Sequence, residues 1–225
     1  MLKPLECNQS INHKFSSEKM IIKVCGMRDA ENIREVESLG VDWMGFIFYG
    51  PSSRFVGERP EYLPEQCQRV GVFVNSTMEE ILQKTEDFGL NYVQLHGDES
   101  PAFCSRLRSV LPLDLGLIKM VGISSKSDMK ATAAYTPFVD YFLFESPCIG
   151  YGGSGKKFDW SLLEQYEGSK PFILTGGIGP DDAEEIETLT HPSFAGIDLN
   201  SRFELSPGLK NTDKLRTFIN KIRTT

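Results

Sequence analysis

The sequence has no apolar run long enough to cross a lipid bilayer. Its longest candidate, residues 131–144, falls short of the roughly 18 residues that a spanning helix needs and contains Asp140. Basic residues are also in the minority, because 24 lysines and arginines face 31 aspartates and glutamates, for a formal net charge of −7. We therefore expect no membrane partner, and no nucleic-acid partner, since nucleic-acid interfaces carry an excess of positive charge.

The sequence also lacks closely spaced pairs of cysteines. The cysteines are five, an odd number, and they are Cys7, Cys25, Cys67, Cys104 and Cys148. None forms a CxxC pair, which disfavours a disulfide framework and a zinc site, whereas free thiols fit a reducing cytoplasm. Residues 1–19 contain no apolar segment of the kind found in secretory signals. We expect them to form a flexible tail, with Met20 as an alternative translation start, ahead of one domain over residues 20–225.

The sequence does contain a regular series of short β-rich segments, whose starts lie 22 to 33 residues apart. They are residues 21–25, 43–48, 69–74, 92–95, 117–121, 139–144, 172–174 and 195–199. The intervening segments read as helices, such as residues 77–88 between Ser76 as N-cap and Gly89 as C-cap. Eight strand–helix repeats predict an α/β fold, a single (β/α)8 TIM barrel. The competing open doubly wound sheet usually carries a GxGxxG fingerprint after its first strand, and that fingerprint is missing here.

Barrels of this kind hold their functional groups at the carboxyl ends of the strands. Polar residues recur near these ends two positions apart, so the members of each pair share one face of a strand. The pairs are Lys23 with Cys25, Gln94 with His96, and Asp198 with Asn200. If these faces point into the barrel, the polar groups converge at one rim and form a single site.

Two turns are candidates for phosphate binding. Gly176 and Gly177 follow the seventh strand, and Asn200 and Ser201 follow the eighth. Backbone N–H groups in such turns can approach an oxyanion closely, and barrels often bind phosphate in the loops after these two strands. The alternative is that both are ordinary tight turns. Residues 152–155 are rich in glycine and could form a lid, a further anion site or a plain loop.

Two residues are candidates for proton transfer. Cys25 can act as a base if a cation such as Lys23 stabilises its thiolate, although a lone cysteine is more often a small buried apolar residue. Glu145 ends an apolar strand, where a carboxylate either faces a cavity as a general acid or points to solvent. The alternative interpretation of His96 is a structural histidine. The alternative interpretation of Arg54 is an ordinary surface cation, although its position in a loop suits recognition of a carboxylate.

Seven motifs follow one another along the chain: IIKVCGM at 21–27, GFIFYGPSSRFV at 45–56, GVFVN at 71–75, VQLHGDE at 93–99, GGSGKKFDW at 152–160, LTGGI at 174–178 and GIDLNSRFELSPGLKN at 196–211. Together they resemble the phosphoribosylanthranilate isomerase family of tryptophan biosynthesis. The resemblance spans nearly all of the chain after Met20 and implies a (β/α)8 barrel that needs no cofactor and no metal. It also implies an acid–base Amadori rearrangement of N-(5′-phosphoribosyl)anthranilate to 1-(2-carboxyphenylamino)-1-deoxyribulose 5-phosphate.

The resemblance implies roles for individual residues. Cys25 matches the family's general base, and Glu145 matches its general acid, which is usually an aspartate. Because a displacement of about 1 Å can cost ~10²-fold in rate, this longer side chain matters unless the backbone compensates. A second departure is Arg202, in place of a common glycine, which would add a phosphate contact or stiffen the turn. We expect substrate contacts from Arg54, Gln94, His96 and Asp198, and phosphate contacts from Gly176, Gly177, Asn200 and Ser201.

Two other functions stay open at this point. Lys23, His96 and Glu145 occupy strand positions at which triosephosphate isomerase carries the same residue types, but the strings around that enzyme's glutamate are absent. A barrel that binds a phosphorylated ligand without turnover is the non-enzymatic alternative, motivated by the glutamate at position 145. We expect a cytoplasmic enzyme for a phosphorylated small molecule, with a monomer as the simpler state and a homodimer as the alternative.

Overall fold

A computed structural model describes residues 19–146 and 157–224 and contains a closed barrel of eight parallel strands. The strands are β1 (Ile21–Cys25), β2 (Trp43–Ile47), β3 (Gln68–Phe73), β4 (Tyr92–Leu95), β5 (Gly116–Gly122), β6 (Tyr141–Glu145), β7 (Phe172–Leu174) and β8 (Phe194–Leu199). Each strand pairs with the next along the chain, and β8 returns to pair with β1. The predicted (β/α)8 barrel is therefore confirmed. Most of the expected tail, residues 1–18, and the glycine-rich residues 152–155 lie outside the described residues.

Six α-helices occur in the described part of the chain: α1 (Ala30–Glu37), α2 (Met78–Phe88), α3 (Pro101–Val110), α4 (Lys126–Ala131), α5 (Ala183–Glu187) and α6 (Thr212–Thr224). Local side chains set their ends. The N-cap of helix α2 is Thr77, which forms a capping box with Glu80, so the prediction of Ser76 as N-cap was one residue early. It ends at Gly89 in the left-handed conformation, as predicted. Among the described helices, none has the length and apolar character that a membrane crossing requires.

Three segments differ from the expected pattern of one α-helix after each strand. Between β6 and β7, the described residues 157–171 contain a 3-10 helix (Trp160–Gln165) and no α-helix. The described residues 48–67, between β2 and β3, contain no helix, because Pro51, Pro60 and Pro64 each lack a backbone donor and crowd the preceding turn. In addition, a short antiparallel hairpin, β9 (Glu204–Ser206) and β10 (Leu209–Lys210), lies between β8 and α6. This hairpin places additional side chains near the end of β8.

The two faces of the strands have different roles. On β1, Ile22 and Val24 belong to the large apolar core that includes residues from the helices. The alternate residues Lys23 and Cys25 therefore face the barrel interior. Near the amino ends of the strands the interior is closed by an aromatic layer, with Trp43 packed 4.4 Å from Tyr92 between ring centroids. The polar interior residues are thus confined to the carboxyl-end half of the barrel.

Candidate active site

A cavity with about 740 Å³ of empty space, part of it open to solvent, lies at the carboxyl ends of the strands. All ten residues that the sequence predicted for the site line it: Cys25, Arg54, Gln94, His96, Glu145, Gly176, Gly177, Asp198, Asn200 and Ser201. Strand ends supply most of them, since Cys25 is the last residue of β1 and Glu145 the last of β6. The structure therefore brings the predicted residues together in one place.

On one side of the cavity, Cys25 lies beside a buried ion pair. Lys23 and Asp198 are register partners on β1 and β8, and the Lys23 Nζ atom lies 2.7 Å from Asp198 Oδ2. Gly45 is the register partner of Cys25 on β2. A Cβ atom at Gly45 would lie 2.7 Å from Cys25 Sγ and 3.1 Å from Lys23 Nζ. Because Gly45 has no side chain, the Cys25 thiol and the Lys23 ammonium have room to lie next to each other.

Burial has the largest effect on the pKa of the Cys25 thiol. It raises the pKa of the Cys25 thiol above its ordinary value, and the nearby Lys23 ammonium offsets only part of that rise. The expected influence of Lys23 therefore has the predicted sign but does not outweigh desolvation. Burial also lowers the pKa of Lys23, yet attraction to the Asp198 carboxylate and hydrogen bonds to Asp198 and Cys25 outweigh it, so the pKa of Lys23 is raised. The site thus contains a permanently charged ammonium beside a thiol that favours its neutral form.

On another side of the cavity, Glu145 contacts His96. The Glu145 Oε2 atom lies 3.1 Å from His96 Nε2, and His96 Nδ1 lies 3.1 Å from Gln94 Nε2. With the amide oriented this way, its NH₂ group donates to Nδ1. The ring proton then resides on Nε2 and is donated to Glu145 Oε2. The strand-end carboxylate therefore faces the cavity and is held in place by its neighbours.

Two buried acceptor atoms in this cavity lack a hydrogen-bond donor within the described residues. They are Gln94 Oε1 and Asp198 Oδ1. Their residues line the cavity and are almost fully buried. Buried acceptors normally receive a hydrogen bond, so hydroxyl donors on a ligand would match them.

Arg54 forms a bidentate ion pair with a residue that sequence reasoning missed. Its Nε atom lies 2.9 Å from Glu204 Oε1, and its Nη2 atom lies 2.7 Å from Glu204 Oε2. A second missed residue, Lys210, places Nζ 2.7 Å from Glu204 Oε1 and 2.7 Å from Asn200 Oδ1. Both missed residues lie in the motif at 196–211, but only the hairpin of β9 and β10 reveals that they face Arg54.

The opposite charges in this network counteract the effect of burial on each pKa. Burial would raise the pKa of Glu204, but hydrogen bonds and attraction from Arg54 and Lys210 outweigh it and hold that pKa below its ordinary value. Burial lowers the pKa of Lys210, and Glu204 offsets part of that change. The carboxylate of Glu204 is therefore ionised at neutral pH between two basic side chains.

The candidate phosphate turns lie next to each other because β7 and β8 are neighbours. Gly176 and Gly177 have φ angles of +89° and +74°, a conformation that favours glycine. Ser201 begins a short 3-10 turn directly after Asn200. Arg202 is exposed, and its side chain extends to Gly179, where a Cβ atom would lie 3.4 Å from Arg202 Nε. The basic side chain of Arg202 thus spans from the β8 turn to the β7 turn.

Residues 22–221 match the family model described as N-(5′phosphoribosyl)anthranilate (PRA) isomerase. The chain is 51% identical over 204 residues to the N-(5′-phosphoribosyl)anthranilate isomerase of Phocaeicola vulgatus, which covers 91% of this chain and 98% of the relative. It is 52% identical over 209 residues to that of Parabacteroides distasonis, covering 90% and 93%. It is also similar to the crystal structure of the isomerase from Thermotoga maritima, with a TM-score of 0.79 and 33% identity over 92% of this chain and 100% of the other.

Another solved structure with this fold holds a ligand. It is a phosphoribosylanthranilate isomerase in complex with reduced 1-(o-carboxyphenylamino)-1-deoxyribulose 5-phosphate, with a TM-score of 0.74 and 29% identity. The similarity covers 92% of this chain and 100% of that one.

Proposed function

The chain belongs to the phosphoribosylanthranilate isomerase family, and we propose that Cys25 is the general base and Glu145 the general acid of its reaction. The family's reaction is the aldose–ketose isomerisation of N-(5′-phosphoribosyl)anthranilate in tryptophan biosynthesis. The observation that carries the two roles is that a thiol and a carboxylate reach one cavity from different strands. The shorter path around the barrel from β1 to β6 passes β8 and β7, so the two groups can approach different parts of one sugar.

The reaction begins with opening of the furanose ring. Glu145 gives a proton to the ring oxygen as the C1′–O bond breaks, and the nitrogen lone pair forms a C1′=N Schiff base. Cys25, as thiolate, then removes the C2′ proton. The electrons of that C–H bond form the C1′=C2′ double bond, and the C1′=N electrons return to nitrogen. The resulting enolamine gains a proton at C1′ and loses one from the C2′ hydroxyl, so no net proton is consumed.

The base requires support because the active form is the thiolate. Lys23, fixed by Asp198 at 2.7 Å, supplies a positive charge next to Cys25. A permanent cation stabilises the thiolate relative to the same buried position without it. The role of the ion pair in this proposal is to make a buried cysteine accessible to deprotonation.

Substrate contacts follow from the chemistry of the remaining residues. Arg54 pairs with the anthranilate carboxylate, and the acceptors Gln94 Oε1 and Asp198 Oδ1 receive hydrogen bonds from sugar hydroxyls. His96 orients Glu145. The 5′-phosphate is bound by backbone N–H groups of the turns at Gly176, Gly177, Asn200 and Ser201.

We also propose the setting in which the enzyme works. Residues 20–225 contain the catalytic function, and catalysis does not need residues 1–19. The enzyme acts in the cytoplasm on a phosphorylated small molecule. It works as a monomer, with a homodimer as the alternative, and light scattering during size-exclusion chromatography separates the two.

The proposed function is tested with the purified full-length chain. Phosphoribosylanthranilate fluoresces, so turnover is followed as loss of that fluorescence, and triosephosphate serves as a control substrate that should not react. We expect turnover with the first substrate only. If the protein bound the reduced product analogue but did not turn over phosphoribosylanthranilate, it would be a binding module.

A further inference from the structure

We propose that Glu204 and Lys210 are positioning residues that keep Arg54 available as the receptor for the substrate's aromatic carboxylate. This inference rests on the proposed function and goes beyond it, because neither residue touches the reacting atoms. Both belong to the hairpin of β9 and β10, which lies between β8 and α6. The proposal assigns this hairpin a part in substrate specificity.

The guanidinium group of Arg54 is paired along one edge. Glu204 accepts hydrogen bonds from Nε and Nη2, one flat edge of Arg54. A guanidinium has a second flat edge, formed by Nη1 and the other N–H of Nη2. None of the described residues forms a hydrogen bond with Nη1. Glu204 therefore fixes the plane of Arg54 and leaves an edge that matches a carboxylate.

The net charge of the group around Arg54 determines how strongly it attracts a carboxylate. Arg54 and Glu204 alone sum to zero, and a neutral pair attracts a carboxylate weakly. Lys210 changes this sum, because its fully buried ammonium lies 2.7 Å from Glu204 Oε1. The three groups together have a net charge of +1. Lys210 thus neutralises the negative charge of Glu204, and the positive charge of Arg54 can attract the carboxylate of the ligand.

Lys210 also contacts the turn after β8. The same Nζ atom lies 2.7 Å from Asn200 Oδ1, in the turn proposed to hold the 5′-phosphate. Loss of Lys210 should therefore weaken every phosphorylated ligand to some extent. Loss of charge compensation should further weaken only a ligand that carries the carboxylate. The difference between two ligands isolates the effect on Arg54.

The hairpin is attached to the β2 loop by a second arginine, Arg28. Its Nη1 atom donates to Ser53 O at 3.2 Å and its Nη2 atom to Pro207 O at 2.9 Å. Because these contacts do not involve Lys210, the hairpin should stay attached when Lys210 is replaced. Lys210 variants therefore test charge rather than the presence of the hairpin.

The experiment measures dissociation constants by calorimetry for two ligands. One is reduced 1-(o-carboxyphenylamino)-1-deoxyribulose 5-phosphate, and the other is the same compound with an unsubstituted phenyl ring. The full-length variants are Lys210→Met, Lys210→Gln and the double variant Glu204→Gln/Lys210→Met. The control is Lys126→Met, which removes an exposed lysine paired with Glu167 outside the cavity.

We expect wild type and control to prefer the carboxylated ligand. Both Lys210 single variants should lose this preference by about tenfold or more, since removing one partner of a buried charge network is costly. The double variant should regain most of the preference, because Glu204→Gln removes the charge that Lys210 compensated. Lys210→Gln can still form hydrogen bonds, so it provides the test if Lys210→Met does not fold.

Two results would overturn the proposal. One is an equal loss for both ligands in the Lys210 variants, and the other is failure of the double variant to regain the preference. If the wild-type protein does not prefer the carboxylated ligand, Arg54 is not the receptor for the carboxylate, and this proposal is wrong as well. Absence of turnover in a wild type that retains the preference would count against the proposed catalysis alone and leave this inference standing.

Discussion

The Nζ atom of Lys23 lies 2.7 Å from Oδ2 of Asp198, and both side chains are almost inaccessible to solvent. A buried ammonium without a partner would lose its proton, whereas this carboxylate keeps Lys23 charged. Cys25 is next on the same face of β1, so the thiol has a permanent cation beside it. The ion pair thereby links the fold, through strand register, to the protonation of the proposed base.

The pH dependence of Cys25 reactivity tests this link. Because burial raises the pKa of Cys25, alkylation by iodoacetamide should speed up with increasing pH, with a midpoint above that of a free thiol. The double variant Lys23→Met/Asp198→Asn should shift the midpoint further upward, since Lys23 acts on the thiol more strongly than Asp198. Mass spectrometry of the Cys25 peptide gives the rates. An unchanged or lower midpoint would contradict the role of Lys23.

Removing either proposed proton-transfer group should abolish most activity. We expect Cys25→Ala and Glu145→Gln each to lower kcat by about 10²–10⁴-fold, the range for general acid–base catalysis. Binding of the reduced product analogue should persist, because neither change alters the phosphate turns. Fluorescence assays and calorimetry measure the two properties. Full activity in both variants would refute the assignment.

Shortening the acid by one methylene tests whether the site is built around glutamate. In Glu145→Asp the carboxyl group should retreat from His96 Nε2, which it now contacts at 3.1 Å. A displacement of about 1 Å can cost ~10²-fold, so we expect kcat to fall by up to that factor. If Glu145→Asp is as fast as wild type, the position of the carboxyl group is less constrained than the contact with His96 indicates.

Gly45 offers a steric test of the base. An added Cβ would lie 2.7 Å from Cys25 Sγ, so Gly45→Ala must displace the thiol or Lys23. We expect a fall in kcat of about 10²-fold. The matched control is Gly50→Ala, because a Cβ at Gly50 meets no atom within 4 Å. Equal activity of the two variants would show that the thiol tolerates the displacement.

The lowered pKa of Glu204 predicts acid sensitivity of the fold. A glutamate whose pKa is lower in the folded state stabilises the protein fully above its ordinary value of 4.5, and that stabilisation is lost as the pH falls through the folded-state value. Glu204→Gln should therefore be less stable at pH 7, by about 1–3 kcal/mol. The difference from wild type should shrink below pH 4.5 in urea unfolding experiments. A difference that stays constant with pH would contradict the ionised pair.

The sequence predicted the strands well, because each depends on local features. Segments 92–95 and 172–174 match β4 and β7 residue for residue. The hairpin of β9 and β10 was not predicted, since its strands are too short to show a periodic pattern. The helix expected between β2 and β3 is also absent. The prolines in residues 48–67 were a sequence signal against that helix.

The same distinction separates the parts of the site. The sequence by itself determined which residues end each strand and which pairs share a face, because the two-residue period of a strand depends only on local geometry. Barrel closure then brings these strand ends together. Only the tertiary structure decided that Glu204 pairs with Arg54, from which it is separated by 150 residues. It likewise decided that burial outweighs Lys23 at the Cys25 thiol, because desolvation depends on every atom around a group and not on its neighbours in the chain.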